Sequence, residues 1–394
     1  MRVTPLVRTK VEDDIVTIGI MSGTSLDGAD AVAVRFRSDA TGTDRMTTLG
    51  RAGVPMPPEL HDALLSLALG NAPDEIERMG DAAVSLAKLY AEAVERLLKS
   101  CGLLPEDIAA IGAHGQTIRH RPERGFTLQL NHPALLAELT GISVVADFRS
   151  RDVAAGGEGA PLVPAFHTQV FPHESAAAVL NIGGIANVTI LPAAADLAQG
   201  RAVVSGFDTG PGNMLLDAFM ASRFGLPCDR NGELARRGRV LEPLLKHCLE
   251  DPYFALNPPK STGRERFSFA WLSAKLAPFA NAAPEDVAAT LTMLTARSAA
   301  EALARTAPET ERFIVCGGGA RNPELMRMLD AELRRRTAVR IFSDSSRYGL
   351  NPMDVEGAAF AWLAKAFLAG EPGNLPAVTR ARGLRLLGAW YPAG

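Results

Sequence analysis

Cysteine is scarce in this chain. Its 394 residues include four cysteines, Cys101, Cys228, Cys248 and Cys316, and no two of them form a Cys-x-x-Cys pair. Disulfide frameworks and zinc sites both need cysteines at close, paired spacings. The sequence therefore predicts neither, and it favours a reducing, cytoplasmic compartment.

Charge of one sign and long apolar runs are also missing. Lysine and arginine number 41 against 44 aspartates and glutamates, and no basic run is long enough to follow a nucleic-acid backbone. No apolar segment reaches the roughly 20 residues that cross a bilayer, and residues 1–14 lack the apolar core of a signal peptide. We expect no nucleic-acid partner and no membrane partner.

Several common catalytic signatures are absent as well. The chain contains no G-x-x-x-x-G-K-[ST] and no G-x-G-x-x-G, which argues against P-loop nucleotidases and Rossmann dinucleotide sites. It contains neither H-E-x-x-H nor G-x-S-x-G, so common metalloprotease and α/β-hydrolase sites are not predicted.

What is present is an alternation of strands and helices over a length that favours two domains. Each half of the chain shows a strand, a glycine turn, a returning strand, further strands and helices. This layout predicts an α/β fold with mixed sheets flanked by helices and a central cleft lined by the glycine turns. The Gly/Ala/Pro-rich stretch Ala154–Pro164 is the best predicted hinge or interdomain crossing.

Individual elements follow from periodicity and from end signals. We predict a helix over Pro133–Leu139 capped by Asn131, a strand over Val203–Phe207 that ends before Asp208, and a polar loop over Asp229–Gly238. Helices are also predicted for Met214–Phe224 and Val355–Leu368.

The stretch from Ile15 to Phe36 contains the first glycine turn. Two β-branched runs, Ile15–Met21 and Ala29–Phe36, predict a strand pair, and the loop Ser22–Gly28 is longer than a tight hairpin needs. Its glycines and hydroxyls would suit a polyphosphate, because such an anion needs many neutral donors around one concave site. An ordinary surface hairpin with polar filler is an equal alternative.

Three more glycine turns follow apolar strands. Because ligands of α/β sheets bind at strand ends, four such turns suggest loops that converge on a phosphate-bearing ligand. The simpler alternative is that tight turns require glycine. The four turns are Gly23–Gly28, Gly183-Gly184, Gly206–Gly212 and Gly317–Gly319.

A few polar side chains are candidates for chemistry. Asp208 precedes Thr-Gly-Pro-Gly and could act as a general base, or it could merely cap the turn or the next helix. His114 suits a positioning role, although a lone histidine is often structural. Glu356 could hold a metal through water, or it could be an ordinary acidic residue of a first helical turn.

Basic side chains could bind an anionic group of a substrate. They could equally form surface ion pairs of little energetic value with neighbouring acids. The basic residues are Arg149, Arg151, Lys260, Arg264 and Arg266, and the acids are Asp147, Asp152 and Glu265.

Seven segments carry a resemblance to a known family, and they run in order from about Ile18 to the C-terminal part of the chain. They are GIMSGTSLDGAD, AHGQTIRHRP, VVADFRSRDVAAGGEGAPLVPAFH, LNIGGIANVTIL, GFDTGPGNMLLDA, KSTGRERF and VCGGGARNPELM. Together they resemble the anhydro-N-acetylmuramic acid kinases of the sugar-kinase/Hsp70/actin superfamily. Residues 1–14 look like an unmatched N-terminal extension.

The resemblance implies an actin-like ATPase fold of two domains. Residues 15–170 with about 372–394 would form domain I, with the first phosphate loop and the sugar side. Residues 171–371 would form domain II, with the second phosphate loop and the adenosine side. The resemblance also implies ATP as co-substrate with Mg²⁺, a small-molecule sugar substrate and a homodimer.

The implied reaction is phosphorylation of 1,6-anhydro-N-acetylmuramic acid during peptidoglycan recycling. Asp208 would activate a water that attacks the anomeric carbon, while O6 takes the γ-phosphoryl group of ATP. Alternatives are another sugar or carboxylate kinase of the superfamily, or a chaperone-like or cytoskeletal ATPase.

Site residues are predicted for each ligand. For ATP they are Gly23, Thr24, Ser25, Leu26, Asp27, Gly28, Ala29, Asp30, Gly183, Gly184, Gly210, Gly212, Asn213, Gly317, Gly318 and Gly319. For the sugar they are His114, Gln116, Asp147, Arg149 and Arg151, with either arginine as the partner of the lactyl carboxylate, and the weak metal candidate is Glu356.

Overall fold

Two compact units make up the computed structural model of this chain. The structure describes residues 14–23, 26–38, 44–70, 74–263 and 266–394. Unit 1 comprises the chain up to Val170 and from Asp354 onward, and unit 2 comprises Phe171–Met353. Within the described ranges, no helix is long and apolar enough to cross a membrane.

The helices and strands alternate along the chain as expected. The first part of unit 1 contains β1 Asp14–Met21, β2 Gly28–Ser38, β3 Asp44–Pro55, α1 Pro58–Leu69, α2 Glu75–Cys101, β4 Ala110–Ala113, β5 Gln116–Arg121, β6 Phe126–Leu130, α3 Pro133–Thr140, β7 Val144–Ala146, α4 Ser150–Ala154 and α5 Val163–Val170. Unit 2 contains β8 Ala177–Ile182, β9 Ile185–Leu191, α6 Ala194–Ala198, β10 Ser205–Pro211, α7 Met214–Phe224, α8 Glu233–Arg237, α9 Glu242–Leu249, α10 Pro252–Ala255, α11 Phe269–Leu276, α12 Pro284–Thr306, β11 Arg312–Cys316, α13 Pro323–Arg336 and β12 Ile341–Asp344. The chain then returns to unit 1 with α14 Val355–Ala369, α15 Pro376–Thr379 and β13 Ala389–Tyr391.

Each unit contains a mixed sheet, and five strands of the two sheets follow the same order, whereas unit 1 has a sixth strand, β13, antiparallel to β7. In unit 1 the order is β13-β7-β4-β1-β2-β3, and in unit 2 it is β10-β9-β8-β11-β12. In each unit three antiparallel strands are followed by two parallel ones. The predicted α/β class with mixed sheets is confirmed, and the similar layout of the two halves is a shared sheet topology.

The core of unit 1 follows from simple patterning. Helix α2 buries Leu86, Tyr90, Val94 and Leu97, a spacing of three and four residues that places them on one face. The helix ends at Gly102, whose left-handed backbone lets its N–H bond the carbonyl of Leu98, as is common at helix C-termini.

Helix α14 packs directly on the backbone of the unit 1 sheet. A β-carbon at Gly19 would collide with the carbonyl oxygen of Gly357, and one at Gly112 would collide with that of Phe360. The two glycines of the sheet are thus required by the close approach of a helix. Eleven of the 15 residues of α14 are buried.

We expect Gly19→Ala to destabilise the protein. The added methyl group forces the helix and the sheet apart, and such overpacking costs about 1–3 kcal/mol or more. Thermal or denaturant unfolding measures the loss. Gly80→Ala is a matched control in the second turn of α2, where the glycine is exposed and a β-carbon meets nothing within 4 Å, so this variant should be more stable by about 0.5–1 kcal/mol. Equal stability of the two variants would contradict the packing.

The domain boundaries differ from the expected ones in one respect. The first crossing, after Val170, coincides with the expected position, but the chain returns to unit 1 at Asp354 and not near residue 372. Helix α14 therefore belongs to unit 1, because its apolar surface is buried on that sheet. The predicted hinge Ala154–Pro164 is wrong as well, since this stretch lies inside unit 1.

Some local predictions were also wrong. The side chain that caps α3 is His132, which accepts the N–H of Leu135, whereas Asn131 accepts the N–H of His132. Strand β10 continues through Asp208 to Pro211, because pairing with β9 extends it. The predicted loop Asp229–Gly238 contains α8.

Candidate functional site

The loop between β1 and β2 is described only in part, since Thr24 and Ser25 lie outside the described residues. Leu26 is buried with φ +60°, and its N–H bonds the carbonyl of Gly23 at 3.1 Å. At the start of the loop, the hydroxyls of Ser22 and Tyr90 lie 2.9 Å apart in the core. Tyr90 of α2 therefore anchors the start of this loop.

The end of the loop is held by β3. The carbonyl of Asp27 accepts the N–H of Met56 at 3.0 Å, and a β-carbon at Gly28 would collide with the carbonyl of Val54. Glycine at this position is explained by a neighbouring strand, without a ligand. The next two residues, Ala29 and Asp30, are buried and exposed respectively.

Asp30 lies beside a small charge cluster. The guanidinium of Arg51 lies 3.7 Å from Asp30 and 3.4 Å from the buried Asp354. Partial burial raises the pKa of Asp30, Arg51 opposes this effect, and Asp27 adds to it.

His114 and Arg149 form the centre of the predicted sugar site in unit 1. Nε and Nη2 of Arg149 lie 3.2 and 3.0 Å from Nε2 of His114, which accepts from them. Burial and the nearby Arg149 charge hold the pKa of His114 well below its usual value. The imidazole is therefore neutral and acts as an acceptor, which places its proton on Nδ1.

Arg149 remains a cation in this environment. Burial lowers its pKa to about 10, and the charges of Glu356 and Asp152 oppose this effect. A group with that pKa is protonated at neutral pH. Glu356, in the first turn of α14, is thus electrostatically coupled to the His114–Arg149 pair.

The other predicted sugar residues lie in different environments. Gln116 begins β5 and is only 3% exposed, and its Oε1 contacts no donor in the described part of the chain. Asp147 follows β7 and is exposed, with φ +59°, a conformation that is uncommon outside glycine and frequent at functional sites. Arg151 is exposed, so it is less suited than Arg149 to hold a ligand rigidly.

In unit 2 the structure brings two glycine turns and the end of β10 together. The carbonyls of Gly183 and Gly184 accept the N–H groups of Asn213 and Gly212 at 2.8 and 2.9 Å. The side-chain nitrogen of Asn213 lies 3.8 Å from the β-carbon position of Gly318. The predicted turn Gly206–Gly212 lies mostly inside β10, whose residues pair with β9, so only its end joins this cluster.

Not every predicted amide in this cluster can bind a phosphate. Those of Gly212 and Asn213 are already used between the turns, and that of Gly317 donates to the carbonyl of Pro352. Over the described residues, the N–H groups of Gly184, Gly318 and Gly319 have no acceptor. Consecutive unpaired amides at a turn favour an anion.

Three bonds hold Asp208 in unit 2. Its N–H donates to the carbonyl of Lys260 at 3.1 Å, its own carbonyl accepts the hydroxyl of Tyr253 at 2.7 Å, and its Oδ2 accepts the N–H of Thr262 at 2.9 Å. The strand bulges between Asp208 and Gly210. None of these three bonds goes to helix α7.

Positive charge lies close to Asp208. Nζ of Lys260 donates to the carbonyl of Tyr253 at 3.2 Å and lies 4.5 Å from the centre of its ring. Burial and Arg305 lower the pKa of Lys260 to about 8, and Asp208 opposes them. Burial and the Asp208 charge together raise the pKa of Tyr253.

Arg266 is the other basic residue of this stretch that the structure describes, and its guanidinium carbon lies 5.6 Å from the centre of the Tyr253 ring. Arg266 forms a 2.9 Å ion pair with Asp251, which fits the surface-pair alternative. Arg264 and Glu265 lie outside the described residues.

Sequence reasoning missed the residues that hold the site together. Tyr253 and Thr262 fix Asp208 from positions 45 and 54 residues away, and Tyr90 lies 68 residues from Ser22. No local pattern marks such contacts. In the ranges that the structure describes, no group of three or more His, Cys, Asp or Glu side chains could hold a metal ion.

Comparison with known proteins gives a family match over almost the whole chain. The family described as Anhydro-N-acetylmuramic acid kinase matches residues 15–393. The chain is 54% identical over 379 residues to an anhydro-N-acetylmuramic acid kinase of Bordetella pertussis, covering 95% of this chain and 96% of that protein. It is 51% identical over 385 residues to one of Burkholderia mallei, covering 96% and 98%.

Solved structures with a similar course of the chain are more distant. An activator of 2-hydroxyisocaproyl-CoA dehydratase from Clostridium difficile with bound ADPNP matches with a TM-score of 0.47 at 13% identity, covering 90% of this chain and 96% of that one. A ROK hexokinase from Thermus thermophilus matches with a TM-score of 0.41 at 16% identity, covering 89% and 99%.

Proposed function

The chain belongs to the anhydro-N-acetylmuramic acid kinase family, and we infer from this that it phosphorylates 1,6-anhydro-N-acetylmuramic acid with ATP. The γ-phosphoryl group goes to O6 while water opens the 1,6-anhydro bridge, and the products are N-acetylmuramic acid 6-phosphate and ADP. The identity of 54% over 95% of the chain is the observation that carries this inference. No specific observation favours another kinase or a non-transferase ATPase.

Asp208 is the proposed general base. The N–H of Thr262 binds one carboxylate oxygen, and the backbone of Asp208 is fixed on both sides by Lys260 and Tyr253. A base held in this way can take a proton from water without first being reoriented. The water oxygen then bonds to the anomeric carbon, and the bond from that carbon to O6 breaks. O6 bonds to the γ-phosphorus as the bond from that phosphorus to the β,γ-bridging oxygen breaks, and ADP leaves.

The nucleotide is proposed to lie against the glycine turns of unit 2. The N–H groups of Gly184, Gly318 and Gly319 and the side chain of Asn213 are the donors that the geometry supports. Asp27 and Asp30 are better suited to orient cationic groups or water than to bind phosphate, because carboxylates repel it.

A magnesium ion is compatible with the residues proposed to bind the nucleotide. Mg²⁺ usually keeps several waters and binds one or two carboxylates together with substrate phosphates, so the lack of a metal cluster among the described side chains is no obstacle. Glu356 is the proposed carboxylate and would act through water. The ion would neutralise charge on the phosphate oxygens.

Arg149 is proposed to bind the lactyl carboxylate of the sugar. It is a partly buried cation whose Nε, Nη1 and Nη2 are each fixed by a bond to His114 or Gly159. A guanidinium held in this way suits the planar, two-oxygen geometry of a carboxylate.

A labelled-water experiment tests the proposed reaction. We expect ADP release that depends on the anhydro sugar, a product that has gained both phosphate and water by mass, and heavy oxygen on the anomeric carbon. ATP hydrolysis without sugar would favour the alternative of a chaperone-like or cytoskeletal ATPase. A product that gained phosphate alone would contradict ring opening.

Two further proposals concern assembly, which the resemblance implies, and location, which the scarcity of cysteine favours. We propose a homodimer in a cytoplasmic setting. Light scattering on the purified protein measures the first, and a mass equal to one chain would contradict it. Fractionation of cells that express the tagged protein measures the second.

A further inference from the structure

The carboxylate of Asp152 is completely buried in unit 1, at 0% exposure. Its Oδ1 accepts the side-chain amide of Asn374 at 2.7 Å and the hydroxyl of Thr379 at 2.8 Å, and its Oδ2 accepts the N–H of Gly159 at 2.8 Å. A buried carboxylate held by neutral donors is a costly way to join two segments, since apolar residues could do the same. The charge therefore calls for a reason beyond packing.

Gly159 links this carboxylate to the proposed sugar site. Its backbone has φ +67°, and its N–H and its carbonyl bond to different partners. The N–H donates to Asp152, and the carbonyl accepts Nη1 of Arg149 at 2.8 Å. Asp152 thus fixes the acceptor that orients one end of the guanidinium, while His114 orients the other end.

Two backbone hydrogen bonds join the C-terminal part of the chain to the loop that contains Gly159. The carbonyl of Thr379 accepts the N–H of Glu158 at 2.6 Å, and the N–H of Arg382 bonds the carbonyl of Ala155 at 2.9 Å. Together with the bonds to Asp152, these contacts hold the loop that follows α4 against α15 and the residues after it. The loop cannot move without breaking several bonds at once.

We propose that Asp152 is a positioning residue for recognition of the sugar carboxylate, acting through Gly159 on Arg149. Asn374 and Thr379 take part by donating hydrogen bonds that hold the Asp152 carboxylate in place. The negative charge of Asp152 also favours the charged form of Arg149, in opposition to burial. The inference rests on the proposed role of Arg149.

Thr379→Val tests the proposal with a change of one hydroxyl. The substrates are the anhydro sugar and its carboxamide analogue, in which the lactyl carboxylate is replaced by an amide. We expect the kcat/KM of the variant to fall about three- to tenfold for the acid, as for a weakened bond to a charged group, and to change little for the amide. Thr17→Val is the matched control, because Thr17 is also fully buried in unit 1 and donates to a backbone carbonyl, that of Ala361.

Four variants are compared by the ratio of kcat/KM for the acid to that for the amide. Thr379→Val, Asp152→Asn and Arg149→Ala should each lower the ratio, and Thr17→Val should leave it unchanged even if it lowers Tm. Adding Thr379→Val to Arg149→Ala should lower the ratio no further, because coupled residues are non-additive.

The outcomes separate the two proposals. If Arg149→Ala lowers the ratio and Thr379→Val does not, the positioning role is overturned while the role of Arg149 stands. If Arg149→Ala leaves the ratio unchanged, the carboxylate site itself is wrong, and the inference falls with it. If Asp152→Asn does not fold, Thr379→Val and the double variant decide the question.

Discussion

Asp208→Asn should reduce kcat by about 100- to 10,000-fold, the usual contribution of a general base. Asparagine keeps a side-chain oxygen that can accept the N–H of Thr262, and the backbone bonds to Lys260 and Tyr253 do not involve the side chain. The fold and the binding of both ligands should therefore persist. Steady-state kinetics, with calorimetry of each ligand, measures the two effects separately.

A surface carboxylate of the same unit provides the control. Asp196 forms an exposed ion pair with Arg201, so Asp196→Asn should leave kcat within experimental error. A variant at Asp208 that retains most of its turnover would show that another group activates the water. Loss of folding in Asp208→Asn would instead mean that the charge itself supports the structure.

Arg149→Ala should raise the KM for the sugar by about 10- to 100-fold, because hydrogen bonds to charged groups contribute about 1.5–3 kcal/mol. The KM for ATP should change little. The substitution also removes the two donors to Nε2 of the buried His114, so Tm should fall as well. Kinetics at saturating concentrations of the second substrate separate the two KM values.

Arg151→Ala distinguishes the two arginines of this stretch. Arg151 is exposed and lies two residues further along the chain. If its removal raises the sugar KM while Arg149→Ala does not, the assignment is reversed. If neither changes it, the lactyl carboxylate is held elsewhere.

Much of the local structure could be predicted from the sequence. Helix α7 spans Met214–Phe224 as expected, and α14 spans Val355–Ala369, one residue longer than the predicted Val355–Leu368. These features depend on hydrophobic spacing and on cap residues a few positions away, so a short window contains the necessary information. The family was predicted from motifs for the same reason, and the family match over residues 15–393 confirms it.

Two of the predictions that were wrong involve contacts between distant segments. The sequence of α14 predicts an apolar helix that could belong to either domain. Only its close approach to Gly19 and Gly112 assigns it to unit 1. The stretch Ala154–Pro164 has the composition of a hinge, yet contacts with residues near Thr379 and Arg382 fix it in place. Composition alone cannot report a partner that lies more than 200 residues away.

The sequence by itself predicted the α/β class, the shared layout of the two halves and Asp208 as the candidate general base. Only the tertiary structure decided the purpose of each glycine. Gly28 makes room for β3, Gly212 donates to the turn Gly183-Gly184, and the amide of Gly318 is the one we propose for a phosphate. A glycine looks the same in every sequence, whereas its function depends on what approaches its backbone in space.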